Sequence, residues 1–252
     1  MADKKSPGLW IETGVDGKFC VVMSGAYGPE KHLPLITPAE DLVAAAEMDY
    51  TAYRREIQRL YEEHPLFAER LDVPESDLED LTAEALLLPS TLREIDPLSF
   101  FVLGSLLDQA LRMQDDGSPI FLLRAGQRLL QVLELPIRTQ IRLRNIMEMT
   151  FDGTERATQQ ERFAKLHNAY PEITAFCDPA HLDGYGDTPL QLCVGSVFQL
   201  RLIELLLYFR QEKQRIARCD YCWNYFIPRT QAATRYCDRI FDGQSCKKRG
   251  AN

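Results

Sequence analysis

The spacing of apolar positions changes character along the chain. Leu9-Trp10-Ile11-Glu12-Thr13 and Phe19-Cys20-Val21-Val22-Met23 are β-prone runs. Gly14-Val15-Asp16-Gly17 between them supplies turn residues, so residues 9–23 are expected to form a β-hairpin. From about 38 to 217 the pattern is helical. Thr37-Pro38-Ala39-Glu40 and Thr188-Pro189-Leu190-Gln191 each offer a hydroxyl, a first-turn proline and a side-chain acceptor or donor at the third helical position. Ser76-Asp77-Leu78-Glu79 offers a capping box without proline, and Asp96-Pro97 and Ser118-Pro119 are further starts. The expected helices are about 38–63, 77–88, 97–113, 119–133, 137–150, 155–168 and 189–217, punctuated by Pro and Gly at 65, 89, 117, 136, 153, 171 and 184–189.

The helix expected over 189–217 is apolar nearly all round for its first two-thirds, with Leu190, Val194, Val197, Ile203, Leu206 and Phe209. Such a helix belongs in the middle of a bundle. Its last third, Arg210 to Arg215, is polar and runs directly towards Cys219. The expected fold is therefore mainly α. An N-terminal β-hairpin (1–30) precedes a helical bundle of about seven helices (31–217), and a small treble-clef-like zinc finger (218–252) ends the chain.

The finger rests on the cysteines. Cys20, Cys177 and Cys193 are scattered in apolar contexts and read as small core residues. Cys219, Cys222, Cys237 and Cys246 crowd the last 34 residues with spacings of 2, 14 and 8, and the 25 residues before Cys219 contain none. Structural zinc takes four tetrahedral ligands, commonly all thiolate, and a Cys-x2-Cys pair can aim both sulfurs at one ion across a tight turn. The bland alternatives are four unrelated thiols or a redox pair. A redox pair follows a strand in a βαβ setting, whereas here a helix precedes it. Tyr225 to Pro228 and Thr234 to Cys237 are expected strands about a turn at 229–233, and Cys246 can open a short helix. Tyr221, Trp223, Tyr225, Phe226, Tyr236 and Phe241 are expected to form a small core around the ion, which supplies much of the folding free energy of so short a segment.

Charge separates this tail from the rest. The chain carries 29 Lys/Arg and 37 Asp/Glu in 252 residues, a net of −8. Residues 201–252 hold 11 and 5 of these, a net of +6, which leaves 18 and 32, a net of −14, in residues 1–200. An acidic body is no general polyanion binder. Its tail, however, gathers Arg218, Arg229, Arg235, Arg239, Lys247, Lys248 and Arg249 around the proposed metal, with aromatic rings among them. Clustered cations suit phosphates and rings suit bases, so DNA or RNA is one candidate partner. The competing reading is structural. Four thiolates and one Zn²⁺ sum to −2, and neighbouring cations offset that charge, leaving the finger to meet a protein partner or a second copy of the chain.

Arg215-Ile216-Ala217-Arg218-Cys219-Asp220-Tyr221-Cys222, then Tyr225-Phe226, Tyr236-Cys237 and Cys246, resemble the C-terminal module of the CGNR zinc-finger proteins. Those are bacterial proteins with a helical N-terminal region and a terminal four-cysteine finger associated with transcription regulation. The likeness is closer still to a sister group of bacterial proteins, a domain family of unknown function, with Cys-x2-Cys, Tyr-Phe-Ile-Pro, Tyr-Cys-Asp and a last Cys before basic residues. It covers about residues 195–251. The Cys-Gly-Asn-Arg signature itself is replaced by Cys246-Lys247-Lys248-Arg249, and the gap from Cys237 to Cys246 is wider. The resemblance implies zinc ligation at Cys219, Cys222, Cys237 and Cys246.

Catalytic patterns are absent from the sequence. No phosphate-binding glycine loop or His-Glu-x-x-His occurs, and Gly184-Tyr185-Gly186 reads as a loop. His32, His64, His167 and His181 have no common spacing and read as capping or surface residues. Asp115-Asp116 reads as a solvated turn. Glu40, Asp41, Glu47, Asp49, Glu56, Glu62 and Glu63 read as a solvent face shared with Arg54, Arg55 and Arg59. The chain is therefore expected to be no enzyme. With no signal-like run after Met1 and with Gln191, Gln199, Arg201 and Glu204 inside its most apolar stretch, it is expected to be cytoplasmic and not to engage membrane.

Overall fold

The computed structural model describes residues 8–13, 19–25, 28–35, 37–69, 74–111, 119–151, 158–170, 191–194, 196–211, 215–229, 234–241 and 243–250. The protein is mainly helical, with small strands. Expectations at Cys177, His181, Gly184 to Gly186, Asp115-Asp116, the turns at 14–17 and 230–233, and the Ser118 and Thr188 caps lie outside the described residues. No described helix is long and apolar enough to cross a membrane. The chain forms two compact units, Met1–Glu47 with Ile141–Asn252, and Met48–Gln140.

In the first unit, β1 (Gly8–Thr13) pairs antiparallel with β2 (Phe19–Gly25), Ile11 opposite Val21. The pair is not isolated. β3 (Gly28–Leu35) lies on the far side of β2, and β4 (Gln191–Val194) pairs with β1, Leu9 opposite Val194, giving the order β3-β2-β1-β4. β4 corrects the expected 189–217 helix. The open edge of β1 takes the run Gln191–Val194 as a strand, and Ser196 then starts the helix, its Oγ accepting from Gln199 N at 3.2 Å.

The expected helix 38–63 is two helices, α1 (Pro38–Ala46) and α2 (Thr51–Glu63). The break is local chemistry. Asp49 Oδ1 accepts from Thr51 N at 2.9 Å, an alternative to continuing the helix. The start of α1 is also capped differently from expectation: Asp41, not Glu40, reaches back to Thr37 N at 2.8 Å, and the Thr37 hydroxyl makes no cap bond. Burial raises the Asp41 pKa, with the Thr37 amide and Arg201 opposing.

The second unit continues with α3 (Pro65–Glu69), α4 (Glu75–Leu87), a 3₁₀ turn at Leu88–Leu92, α5 (Pro97–Leu111), α6 (Pro119–Leu133) and the start of α7 (Leu135–Phe151). Pro74, not Ser76, precedes α4, while Asp96 caps α5 as expected, accepting from Ser99 N at 3.1 Å. Its core is sealed by Tyr53, Leu60, Phe67, Leu81, Leu92 and Leu103. Gln140 ties the ends of the unit together, donating to Met48 O at 2.6 Å.

Back in the first unit, the remainder of α7 is followed by α8 (Gln159–Ala169), opened by a Thr158–Glu161 capping box, and α9 (Val197–Gln211). Residues 200–209 of α9 are all buried, and the two charged side chains among them pair with each other, Arg201 Nη1 lying 2.9 and 2.8 Å from the two Glu204 oxygens.

Candidate metal centre

The C-terminal module begins where β5 (Ala217–Arg218) pairs with β6 (Tyr225–Phe226), Arg218 opposite Tyr225. The loop between them carries Cys219 and Cys222. It is closed by Trp223 N to Cys219 O and Cys219 N to Asn224 O, both 2.9 Å. This turn places Trp223 at φ 62, left-handed backbone that a bulky residue rarely takes. Residues 234–237 do not form the expected strand: β6 has already found its partner in β5. Arg235 is instead tied to the loop, its carbonyl accepting from Asp220 N at 3.0 Å and its Nε reaching Asp220 Oδ2 at 2.6 Å. A second small hairpin follows, β7 (Ile240–Phe241) with β8 (Gln244–Ser245), its turn using Gly243 at φ 74. The chain ends in α10 (Cys246–Gly250). Tyr236 OH donates to Gly250 O at 2.7 Å, and its ring fills the place a side chain at 250 would occupy.

These pieces bring the four cysteines together. Their sulfurs all lie within 4.8 Å of one another, and Cys219, Cys237 and Cys246 are buried. Cys222 Sγ and Cys237 Sγ are 3.6 Å apart, well beyond the roughly 2.05 Å of a disulfide, and all four thiols are free. A tetrahedral ion with metal–sulfur bonds of about 2.3 Å sets its sulfurs about 3.8 Å apart, so this donor set can hold one metal ion. Burial alone pushes the Cys219 thiol up. The backbone N–H groups of Cys222, Cys237 and Tyr221 directed at its sulfur outweigh that and lower its pKa to about 7. Burial raises the pKa of Cys237 and of Cys246. A cation shared by the four sulfurs reverses that penalty, because coordination stabilises the deprotonated form.

The aromatic residues divide. Tyr225 is buried, and Phe226 and Tyr236 pack on the cysteines, as expected of a small core. Trp223, Tyr221 and Phe241 are exposed instead, Trp223 at 60%. The Arg218 guanidinium lies 4.8 Å from the Trp223 ring centre and 5.9 Å from that of Tyr225.

The basic residues are mostly engaged. Arg218 Nη1 meets Glu148 of α7 at 3.1 Å, and Arg239 Nη1 meets Glu47 at 3.3 Å. Within the module Arg229 meets Asp238 at 3.3 Å, and Arg249 donates to Phe241 O at 2.8 Å and Tyr221 OH at 3.2 Å. Among the described residues Lys247 and Lys248 form no ion pair, and both are exposed.

Glu47 corrects the reading of the acidic face. Its side chain is 7% exposed and accepts from Tyr225 N at 2.8 Å. Neither Glu47 nor Glu148 stands out in the sequence, because each partners the module from far along the chain. The local signal for Glu47 is the Asp49-x-Thr51 break just after it. His64 does sit at a helix end, its amide bonded to Leu60 O, with Nε2 3.7 Å from Glu84. His167 lies in the last turn of α8, stacked on Phe163.

The chain matches no family model, no curated protein and no solved structure.

Proposed function

We propose that the protein binds one zinc ion through Cys219, Cys222, Cys237 and Cys246, and that the ion is structural. It fixes the C-terminal module as an interaction or assembly element. The observation that carries this reading is the convergence of four free sulfurs on one point. Four thiolates complete a tetrahedral shell and leave no open position for substrate, which favours a non-catalytic ion. The order of loop, hairpin and short helix supports the treble-clef reading, and the resemblance to the CGNR proteins and their sister group supports zinc.

The partner chemistry follows from what the cations do. Arg218, Arg229, Arg235 and Arg239 each face a carboxylate of the same chain. That leaves less charge for phosphates than the count of basic residues suggests and favours a protein partner. Native mass spectrometry of wild type and Cys222→Ser tests the metal: one zinc per wild-type chain and loss of zinc from the variant are expected. Retention of a full equivalent by the variant defeats the reading.

A second reading, nucleic-acid binding, is favoured by the exposed Trp223 ring and by the exposed Lys247 and Lys248, which form no ion pair among the described residues. A mobility-shift assay with duplex and single-stranded DNA at two salt concentrations separates the two. No shift by the zinc-loaded chain at low salt removes the second reading, and a salt-sensitive shift abolished by Lys247→Glu with Lys248→Glu establishes it.

A further inference from the structure

We infer that metal loading of the C-terminal module and the order of the α1 end are a single coupled event, with Glu47 as the positioning residue that joins them. This rests on the zinc reading above.

Glu47 terminates α1, its own N–H bonded to Val43 O at 3.0 Å. Its buried carboxylate then accepts from donors in two parts of the first unit. Oε1 accepts the Tyr225 amide at 2.8 Å, and Oε2 lies 3.3 Å from Arg239 Nη1 and 3.6 Å from Arg144 Nη1. Tyr225 follows the Cys222 loop, and Arg239 stands two residues after Cys237. Arg144 also donates to Ala46 O at 3.3 Å, so it holds the last turn of α1 from α7.

A carboxylate removed from water needs its donors in place. Tyr225 N and Arg239 belong to a module whose sulfurs crowd together around a common point. Without a cation there, the crowded thiols lose the bond that holds the loop of Cys222 and the segment of Cys237 in register. The Tyr225 amide and the Arg239 guanidinium then leave Glu47 together. Glu47 then loses its two bonds to the module, and the end of α1 keeps its tie to α7 through Arg144 but not its tie to the module. Linkage requires the reverse as well: anything that fixes Glu47 raises the affinity of the module for its ion.

Hydrogen exchange on the full chain, zinc-loaded against chelator-stripped, tests this. Residues 38–47 and 141–151 are expected to exchange about tenfold faster after stripping, alongside 217–250, while 51–63 and 75–92 keep their protection. Faster exchange confined to 217–250 overturns the coupling, and so does loss of protection throughout. Glu47→Ala is expected to weaken zinc retention against a competing chelator about tenfold, and Glu47→Gln less, because its amide oxygen still accepts from Tyr225 N. Equal retention in wild type and both variants overturns it. A wild-type chain that holds no zinc by native mass spectrometry defeats instead the metal reading on which the coupling rests.

Discussion

In the Met48–Gln140 unit the interior is carried by side chains such as Leu81, Leu92 and Leu103, each fully buried. In the C-terminal module the buried positions are cysteines, with Tyr225 beside them, while Ile240 stands 71% exposed. The Met48–Gln140 unit draws its stability from apolar area, about 1.5–3 kcal/mol for each large side chain removed from water. The module spans too few residues to do the same, and it leaves several of its largest apolar groups in solvent. On the zinc reading proposed above, its order depends on a single polar centre. A helical core loses stability in increments as residues are trimmed, whereas a four-ligand centre is either assembled or lost.

The sharpest test of that contrast removes the centre. Chelation, or Cys219→Ser, is expected to unfold the module outright, forfeiting on the order of 10 kcal/mol of apparent metal-linked free energy. Far-UV circular dichroism should keep most of its helical signal while exchange protection over 217–250 disappears. Full retention of that protection in the stripped chain would mean that apolar packing holds the module as well. The reciprocal perturbation is Leu81→Ala. Its side chain is fully buried, so the loss is expected at about 2–5 kcal/mol by denaturant titration, with zinc content per chain unchanged. Gly126→Ala probes the same core by adding volume. A methyl group there meets the ring of buried Phe67 at 2.1 Å, and a smaller loss of about 1–3 kcal/mol is expected from the thermal midpoint.

The two regions also differed in how legible they were. The four-cysteine cluster is readable because residue type and spacing are local chemical facts: two residues separate Cys219 from Cys222 whatever the rest of the chain does. The partners of the basic residues are not readable, since Arg218 meets a carboxylate 70 positions away and Arg239 one 192 positions away. Clustered arginines therefore look like a surface for an external anion until their internal acids are seen. Among the helices, Asp96 and Pro97 announce α5, but the hydrophobic period runs through Glu47 to Tyr50 without interruption, and only the Asp49 side chain ends it. Gln191–Val194 is a short apolar run, which periodicity cannot assign to strand or helix. Its strand character comes from β1, near the other end of the sequence.

The mildest change is at Trp223, where backbone strain and ring stacking meet in one residue. Its left-handed backbone costs an ordinary L-residue roughly 1–2 kcal/mol, a cost asparagine bears more easily. Its ring returns part of that by stacking with Arg218, about 0.5–1 kcal/mol for an exposed cation–π pair. Trp223→Asn relieves the first and removes the second, so the zinc-loaded chain is expected to shift by less than about 1 kcal/mol in either direction. Arg218 keeps its bond to the carbonyl at position 223 and its pairing with Glu148, since neither involves the indole. A loss above about 2 kcal/mol, read from the temperature at which zinc is released, would mean that the ring itself holds the loop. Near neutrality would mean that relief of the backbone and loss of the stacking on Arg218 cancel.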